Sequence, residues 1–328
     1  MDVLTSALLA LVVTAALEPP LIWWLTRRAM LDVPGERSNH SVPTPRGGGI
    51  AVMAGLVVGI VFTADPVVIG LLGGILIAAV VGLLEDVCGL RIASRLLLTA
   101  IAAIALLAVL ALGELPPGLY GGALLVVAVP WTLAVVNAMN FMDGINGISA
   151  ATGVVGGVAY SLLGYATDND SLTVLGLVVA AAMLGFAPYN VPVARVFLGD
   201  VGSYGLGAAF AAMSLLAVAG GLPLEAAVAP LALYLADTGN TIVRRVRDGE
   251  PWQLPHKRHT YQQLVALGLS HVAVGAAVGI LTMVCAALGA VSLFGSVLAR
   301  TSAVVMLLIV LVAYLASPRL LPSREAAC

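Results

Sequence analysis

Long apolar stretches alternate with short polar breaks along the whole chain. The runs lie at 3–25, 48–64, 66–84, 96–113, 119–137, 148–166, 171–188, 204–221, 223–243, 264–290 and 297–317, separated by Gly, Pro or charged residues. In a run such as Val67 to Leu84 (VVIGLLGGILIAAVVGLL) no polar position alternates with the apolar ones, as a transmembrane β-strand would require. Each run approaches the length of a bilayer-crossing helix, so the pattern predicts an all-α polytopic membrane protein with about 11 transmembrane helices. The first run follows Asp2 and precedes Arg27 and Arg28, the wrong polarity for a cleaved signal peptide, and is read as a retained span.

Numbering the loops alternately tests that assignment. One side carries Arg27, Arg28, Arg37, Arg46, Arg91, Arg95, Arg195, Arg244, Arg245, Arg247, Lys257, Arg258, Arg319 and Arg324, whereas the other carries only Arg300. Positive residues gather on the cytoplasmic side, which places the N-terminus outside and the C-terminus in the cytoplasm. The outer connections, around Asp65, Glu114, Asp168 to Asp170 and Leu222, read as plain turns. The inner ones, at 26–47, 85–95, 138–147, 189–203 and 244–263, are rich in Asp, Asn, His, Arg and Gly. Residues 1–328 therefore read as a single transmembrane domain whose chemistry faces the cytoplasm.

Composition agrees and excludes a soluble globular protein. Only 10% of residues are charged and 61% are hydrophobic, with a mean hydropathy of +1.07, whereas soluble domains are roughly a quarter charged. The formal net charge is −2, and no nucleic-acid partner is expected. Cys88, Cys285 and Cys328 are odd in number, far apart and without metal-ligand spacing, so neither a disulfide framework nor a zinc site is suggested.

Several polar constellations interrupt the apolar pattern. Glu85-Asp86 ends the third run, and adjacent carboxylates at a membrane face need a cation or solvent; a solvated helix end gives the same pattern. The segment 137–147 (NAMNFMDGING) packs three Asn and an Asp around two Gly, a tight turn that points amides and a carboxylate into one space. In FLGDVGS at 197–203, Asp200 sits at a predicted helix start between glycines. Such a place suits a phosphate, with the carboxylate holding Mg2+ against it, although an N-cap Asp looks alike. His256, Lys257, Arg258 and His259 bring imidazoles and cations to the last inner loop, where they suit a pyrophosphate or simply fix topology. The first inner loop, with Arg37, His40 and Arg46 among spaced Pro and Gly, reads as structured. Two carboxylates fall within runs. Glu18, before Pro19-Pro20, is expected to snorkel or pair, and Asp237 to be solvated near the inner face.

Taken together, these loops resemble the polyprenyl-phosphate N-acetylhexosamine-1-phosphate transferases. The resemblance covers most of the chain and rests on DVPGERSNHSVPTPRGGG at 32–49, EDVCGL at 85–90, NAMNFMDGING at 137–147, FLGDVGS at 197–203, LADTGNTIVRR at 235–245 and HKRHTYQQL at 256–264, in the family's order. It implies transfer of a sugar-1-phosphate from a UDP-N-acetylhexosamine to a polyprenyl phosphate such as undecaprenyl phosphate, releasing UMP, at the bacterial inner membrane. It implies Mg2+, with Mn2+ as a substitute, and it allows a homodimer. By resemblance Asp200 is the first metal ligand, with Asp86 in support. Glu85 and Asp86 match paired aspartates that orient or deprotonate the lipid phosphate, and Asp143 matches a catalytic aspartate. Asn140 and Asn146 would lie near the nucleotide, Phe197 would stack on uracil, and Arg46, Lys257, Arg258 and His259 would contact diphosphate or sugar.

Two departures shape the expectation. The first of the paired aspartates is Glu85 here, a longer carboxylate less suited than Asp86 to close metal or base work, and Tyr261-Gln262 replaces a histidine-rich ending, an ending that looks like the subgroup linked to O-antigen initiation with modified, often 6-deoxy, N-acetylhexosamines. The acceptor phosphate, largely dianionic at neutral pH, is expected to attack directly; a route through an aspartyl-phosphate is also chemically allowed. A membrane transporter of a lipid or anionic solute is the rival class, but it would place its polar groups near the bilayer midplane.

Overall fold

The computed structural model describes residues 2–34, 42–113, 119–250 and 257–321. The chain is helical: α1 Val3–Arg27, α2 Gly49–Val61, α3 Pro66–Cys88, α4 Ile92–Gly113, α5 Leu119–Met142, α6 Ile148–Ala166, α7 Asp170–Asn190, α8 Gly199–Ala219, α9 Leu224–Val228, α10 Ala232–Arg247, α11 Thr260–Ala266, α12 His271–Phe294 and α13 Val297–Leu320. Two short strands, β1 Leu31–Asp32 and β2 Thr44–Pro45, pair antiparallel between α1 and α2. Ten helical segments among the described residues are long and apolar enough to cross a membrane, and the protein is a multi-pass membrane protein.

The expected runs map onto these helices with three differences. The second becomes α2, only 13 residues, or about 20 Å at 1.5 Å per residue, short of a ~30 Å hydrocarbon core. It nevertheless leads across the bundle, because Gly49 packs against Gly202 at one end while Asp65, just past α2, accepts from Ser171 Oγ (2.7 Å) at the other. The ninth run is broken into α9, a 3-10 turn at Ala229–Leu231 and α10. The tenth begins late: Gly268 turns the chain with φ +97°, and Ser270 caps α12 through its hydroxyl and the Ala273 N–H (3.2 Å).

At the centre stands α8, buried along nearly its whole length and packed against α2, α3, α5, α6 and α7. A helix apolar on all sides needs such a position. Small residues bring the backbones together, as where Gly157 of α6 meets Gly176 of α7 and where Gly82 of α3 meets the first turn of α8. Prolines inside helices free carbonyls that other groups take up: Pro19 has no N–H for Ala15, and the Tyr189 hydroxyl donates to that carbonyl at 2.8 Å.

Glu18 departs from expectation. Its side chain is fully buried and, among the described residues, neither carboxylate oxygen has a hydrogen-bond partner, so within them it neither snorkels nor pairs.

The ends of the helices sort into two faces. Arg27, Asp86, Asn140, Asn190, Asp200 and Arg245 lie at one end, whereas Asp65, Ser171, Glu225 and Arg300 lie at the other, where Ser171 bonds Asp65 and Arg300 pairs with Glu225. The described chain starts at the second face and ends at the first.

Candidate active site

Three elements that are remote in sequence converge at the first face. Gly199, at φ +76°, turns the chain from Phe197-Leu198 into α8 and sets Asp200 in its first turn. The β2–α2 segment docks alongside: the Phe197 N–H donates to Pro45 O (2.8 Å), and the Gly47 and Gly48 N–H groups donate to Phe197 O (3.1 and 2.9 Å). Those bonds hold Arg46 opposite Asp200. α3 then delivers Asp86, whose Oδ2 accepts from the Val201 N–H (2.9 Å).

Arg46 joins the two carboxylates. Its Nε lies 2.7 Å from Asp86 Oδ1, and a terminal nitrogen pairs with Asp200 Oδ1. The Nε–Oδ1 contact is a Coulombic pair with poor hydrogen-bond directionality. Burial opposes the charge on Arg46, but Asp200 and Asp86 outweigh it and push its pKa up, so the guanidinium is firmly cationic.

Glu85 faces elsewhere. Consecutive helical residues point about 100° apart, and Glu85 turns to the Leu90 N–H (2.7 Å) and to Arg95 (3.5 Å) at the α3–α4 corner. Of the pair, only Asp86 reaches the Arg46–Asp200 centre.

A cavity of about 340 Å³ opens beside that centre, lined by Gly144, Ile145 and Leu198 as well as by Arg46, Asp200, Asn140, Asp143, Asn146 and Phe197, which the sequence singled out. Asn140 donates to Asp200 Oδ1 (2.9 Å) and Ser203 Oγ (3.1 Å). Asp143 accepts from Ser149 Oγ (2.5 Å). Burial pushes the Asp143 carboxyl up to about 7, although the Ser149 hydrogen bond and Arg46 pull it down.

Asp32, Asn190, Gln262 and His271 also line the cavity and were not foreseen. Asn190 accepts from the Gly147 N–H (2.6 Å) and donates to Val196 O (3.0 Å), so it ties the 137–147 turn to the segment before α8. A signal for it existed, an Asn ending an apolar run in an inner loop. None marked His271, the first residue of α12.

The last inner loop lies partly outside the described residues, as do His256 and the 35–41 part of the first loop, with Arg37 and His40. Among the described residues, Lys257, Arg258 and His259 do not line the cavity. Lys257 is exposed, and Arg258 pairs with Asp248 (2.6 Å) and Glu250 (2.5 Å). His259 is buried, stacked on Tyr261 at 5.8 Å and tilted against Phe141 at 6.2 Å.

Asp237 corrects the solvated reading. Fully buried, it accepts from the Thr260 N–H (2.9 Å), the Tyr314 hydroxyl (2.8 Å) and Thr241 Oγ1 (3.3 Å), and its Oδ1 lies 3.3 Å from His259 Nδ1. The carboxylate thereby knots α10, α11 and α13 together behind the cavity. Tyr261 completes the link by donating to Phe141 O (3.0 Å) at the end of α5.

A second, apolar groove of about 320 Å³ runs between α4, α5 and α10, with Leu96, Leu133 and Ile242 on its walls and Arg95, Asn137 and Phe141 at its polar end. Arg95 is the residue that meets Glu85, so the groove reaches the α3–α4 corner, one residue along α3 from Asp86.

The donor set suits a divalent ion shared with a substrate better than a closed metal cage. Among the described residues no three His, Cys, Asp or Glu side chains cluster as metal ligands. Mg2+ commonly takes one or two carboxylates and completes its shell with phosphate oxygens and water, and Asp86 and Asp200 offer that number.

Comparison with known proteins identifies the family. Residues 68–218, which include Asp86, Asn140, Asp143 and Asp200, match the model of Glycosyl transferase family 4. The decaprenyl-phosphate N-acetylglucosaminephosphotransferase of Mycobacterium tuberculosis is 31% identical over 307 residues, covering 80% of this chain and 76% of the relative. That of Mycolicibacterium smegmatis is 30% identical over 282 residues, 73% of this chain and 69% of the relative. A phospho-N-acetylmuramoyl-pentapeptide-transferase of Staphylococcus epidermidis is 35% identical, but over only 86 residues, 26% of this chain and 27% of the relative. With similarity to the mycobacterial enzymes over about four-fifths of the chain and the polar loops gathered at one face, the chain belongs to the polyprenyl-phosphate N-acetylhexosamine-1-phosphate transferases of glycosyl transferase family 4.

Proposed function

We propose that this sugar-phosphate transferase moves N-acetylhexosamine-1-phosphate from a UDP-linked donor to a polyprenyl phosphate, releasing UMP. The observation that carries the reading is the meeting of Asp86 with Arg46 and Asp200, the latter two on the wall of a polar cavity, in a protein that also has an apolar groove between α4, α5 and α10. Two anionic substrates must meet there, one water-soluble and one held in the bilayer. The cavity offers amides and Phe197 to a nucleotide, and the groove offers a path for a prenyl chain whose phosphate would lie near Arg95 and Asn137. The names of the mycobacterial relatives support a polyprenyl phosphate acceptor and an N-acetylglucosamine-type donor.

Asp86 and Asp200 would hold Mg2+, or Mn2+ in its place, which when bound neutralises the diphosphate and polarises the bond to be broken. An acceptor phosphate oxygen attacks the sugar-bearing phosphorus, a new P–O bond forms, and the bond to the UMP oxygen breaks with its electrons leaving on UMP. Arg46 balances the negative charge, Asn140 fixes the orientation of Asp200, and Asp143 acts as an anion beside the reacting groups. A transporter fits less well, because these polar groups crowd one end of the bundle instead of its middle.

The basic residues at this end support a cavity facing the cytoplasm of a bacterial inner membrane, with the N-terminus outside. The reaction would then be the first membrane step of a cell-surface glycan. The resemblance of the Tyr261-Gln262 ending to the O-antigen-initiating subgroup supports a modified N-acetylhexosamine as the donor, and the relatives' names support plain N-acetylglucosamine in a cell-wall role.

The test uses purified protein in detergent with undecaprenyl phosphate, Mg2+ and a panel of UDP-N-acetyl sugars that includes 6-deoxy forms. UMP release that depends on both lipid and Mg2+ is expected with one donor. Folded protein that releases UMP with none of them, and binds none, refutes the reading.

The same assay has an expected pH dependence. Asp143 must ionise to serve as an anion, so activity rises as pH increases through about 7. Ser149→Ala removes a hydrogen bond that favours the charged form and moves the midpoint upward by about one pH unit. An unshifted midpoint in this variant would separate Asp143 from the rate-controlling ionisation.

A further inference from the structure

Arg46 sits between Asp86 and Asp200, the two carboxylates assigned above to a divalent ion. Its guanidinium bridges one carboxylate from the end of α3 and one from the first turn of α8, and the three side chains differ in how tightly they are held. Asp86 is 4% exposed and anchored by the Val201 N–H; Asp200 is 13% exposed and anchored by Asn140. The Arg46 side chain is 39% exposed. Its backbone is fixed by its own N–H on Met30 O (3.1 Å) and by the Gly47 and Gly48 N–H groups on Phe197 O. The carboxylates thus form a preset pair, and the cation between them is the part that can swing on its stem without disturbing the fold.

We propose that Arg46 is a resident stand-in cation: it fills the divalent-ion position between Asp86 and Asp200 in the substrate-free protein, and transfers to the diphosphate of the incoming nucleotide when the ion takes that position. The proposal rests on the reading that these two carboxylates hold a divalent ion. The reason is electrostatic. Converging carboxylates in a half-buried site need a positive charge between them, and a guanidinium and a doubly charged ion at contact distance repel each other strongly. One must leave as the other enters. A diphosphate gives the departing guanidinium the flat, two-pronged anionic partner that its geometry favours. The cavity that Arg46 lines is where that partner would arrive. Ion and nucleotide therefore promote each other's binding, and by linkage the effect is reciprocal.

The experiment measures protein-bound Mn2+ at fixed free Mn2+, by equilibrium dialysis of the full chain in detergent, with no substrate and then with UDP. The wild type should bind Mn2+ weakly alone and at least tenfold more tightly with UDP. Arg46→Ala should bind Mn2+ about tenfold more tightly than the wild type without nucleotide, and UDP should tighten it less. Arg46→Lys, which keeps one charge but cannot span both carboxylates, should fall between them. It carries the comparison if the alanine variant does not fold. A purely structural Arg46 predicts the reverse, and nucleotide-free affinities in both variants equal to or weaker than the wild type overturn the proposal. Mn2+ binding that survives Asp200→Asn puts the ion elsewhere and also overturns it. Absence of bound Mn2+ in every protein, with and without UDP, removes the divalent-ion reading itself and the proposal with it.

Discussion

Asp200→Asn is expected to lower UMP release by about a thousandfold, at the upper end of what a single preorganised charge contributes, while leaving the melting temperature in detergent within a few degrees of the wild type. The carboxamide has nearly the same shape, and its oxygen can still accept from Asn140, so the first turn of α8 and its seam with β2 and α2 keep their contacts. Arg46 keeps Asp86 as a partner. What disappears is one of the two negative charges that face Arg46 and would face a divalent ion. Glu85→Gln is the contrast, because Glu85 meets Leu90 and Arg95 at the α3–α4 corner and not the Arg46 centre. It should cost about tenfold at most. Parallel assays of the two variants on a common substrate pair decide the matter: more than a tenth of wild-type turnover in Asp200→Asn removes Asp200 from the centre of the reaction.

Most of the helices were legible because most crossings are almost wholly apolar and most breaks are marked by Gly, Pro or charge, signals that survive in any local window. So was the heart of the cavity, since Asn140, Asp143, Asn146 and Asp200 crowd into short polar segments where a structural turn needs fewer such groups. Other features depend on partners that no window contains. Asp237 looked like a solvated carboxylate near a helix end, yet Tyr314, 77 residues away, and the 259–260 segment close over it. Arg46 and Asp200 are 154 residues apart, so their pairing is a property of packing alone. His271 carries no pattern around it; it enters the site because α12 packs on α6. Conversely, the basic cluster at 257–259 was conspicuous in sequence, but Arg258 is taken up by Asp248 and Glu250, and His259 turns inward to Asp237. A dense local charge pattern shows where ionic groups are, and the third dimension decides which of them face a substrate.

Gly82→Ala should do more damage than its one methyl group suggests. Gly82 lies one turn before Asp86 on α3, and a Cβ there would run into the Asp200 carbonyl and the Val201 nitrogen of α8. These are backbone atoms at the start of the central buried helix, so no side chain can rotate away and the two helices must separate. Overpacking of this kind costs about 1–3 kcal/mol, read as a lower melting temperature in detergent. The larger effect should be on turnover. Asp86 meets Val201 at 2.9 Å across this same seam, and a shift of about 1 Å there pulls Asp86 from Arg46 and Asp200, with an expected loss of about a hundredfold. Gly73→Ala, on the same helix with nothing within 4 Å of the added carbon, serves as the control and should melt and turn over like the wild type. Wild-type turnover in Gly82→Ala would mean that the α3–α8 seam does not set the distance between the two carboxylates, and that Asp86 can be displaced without cost to the reaction.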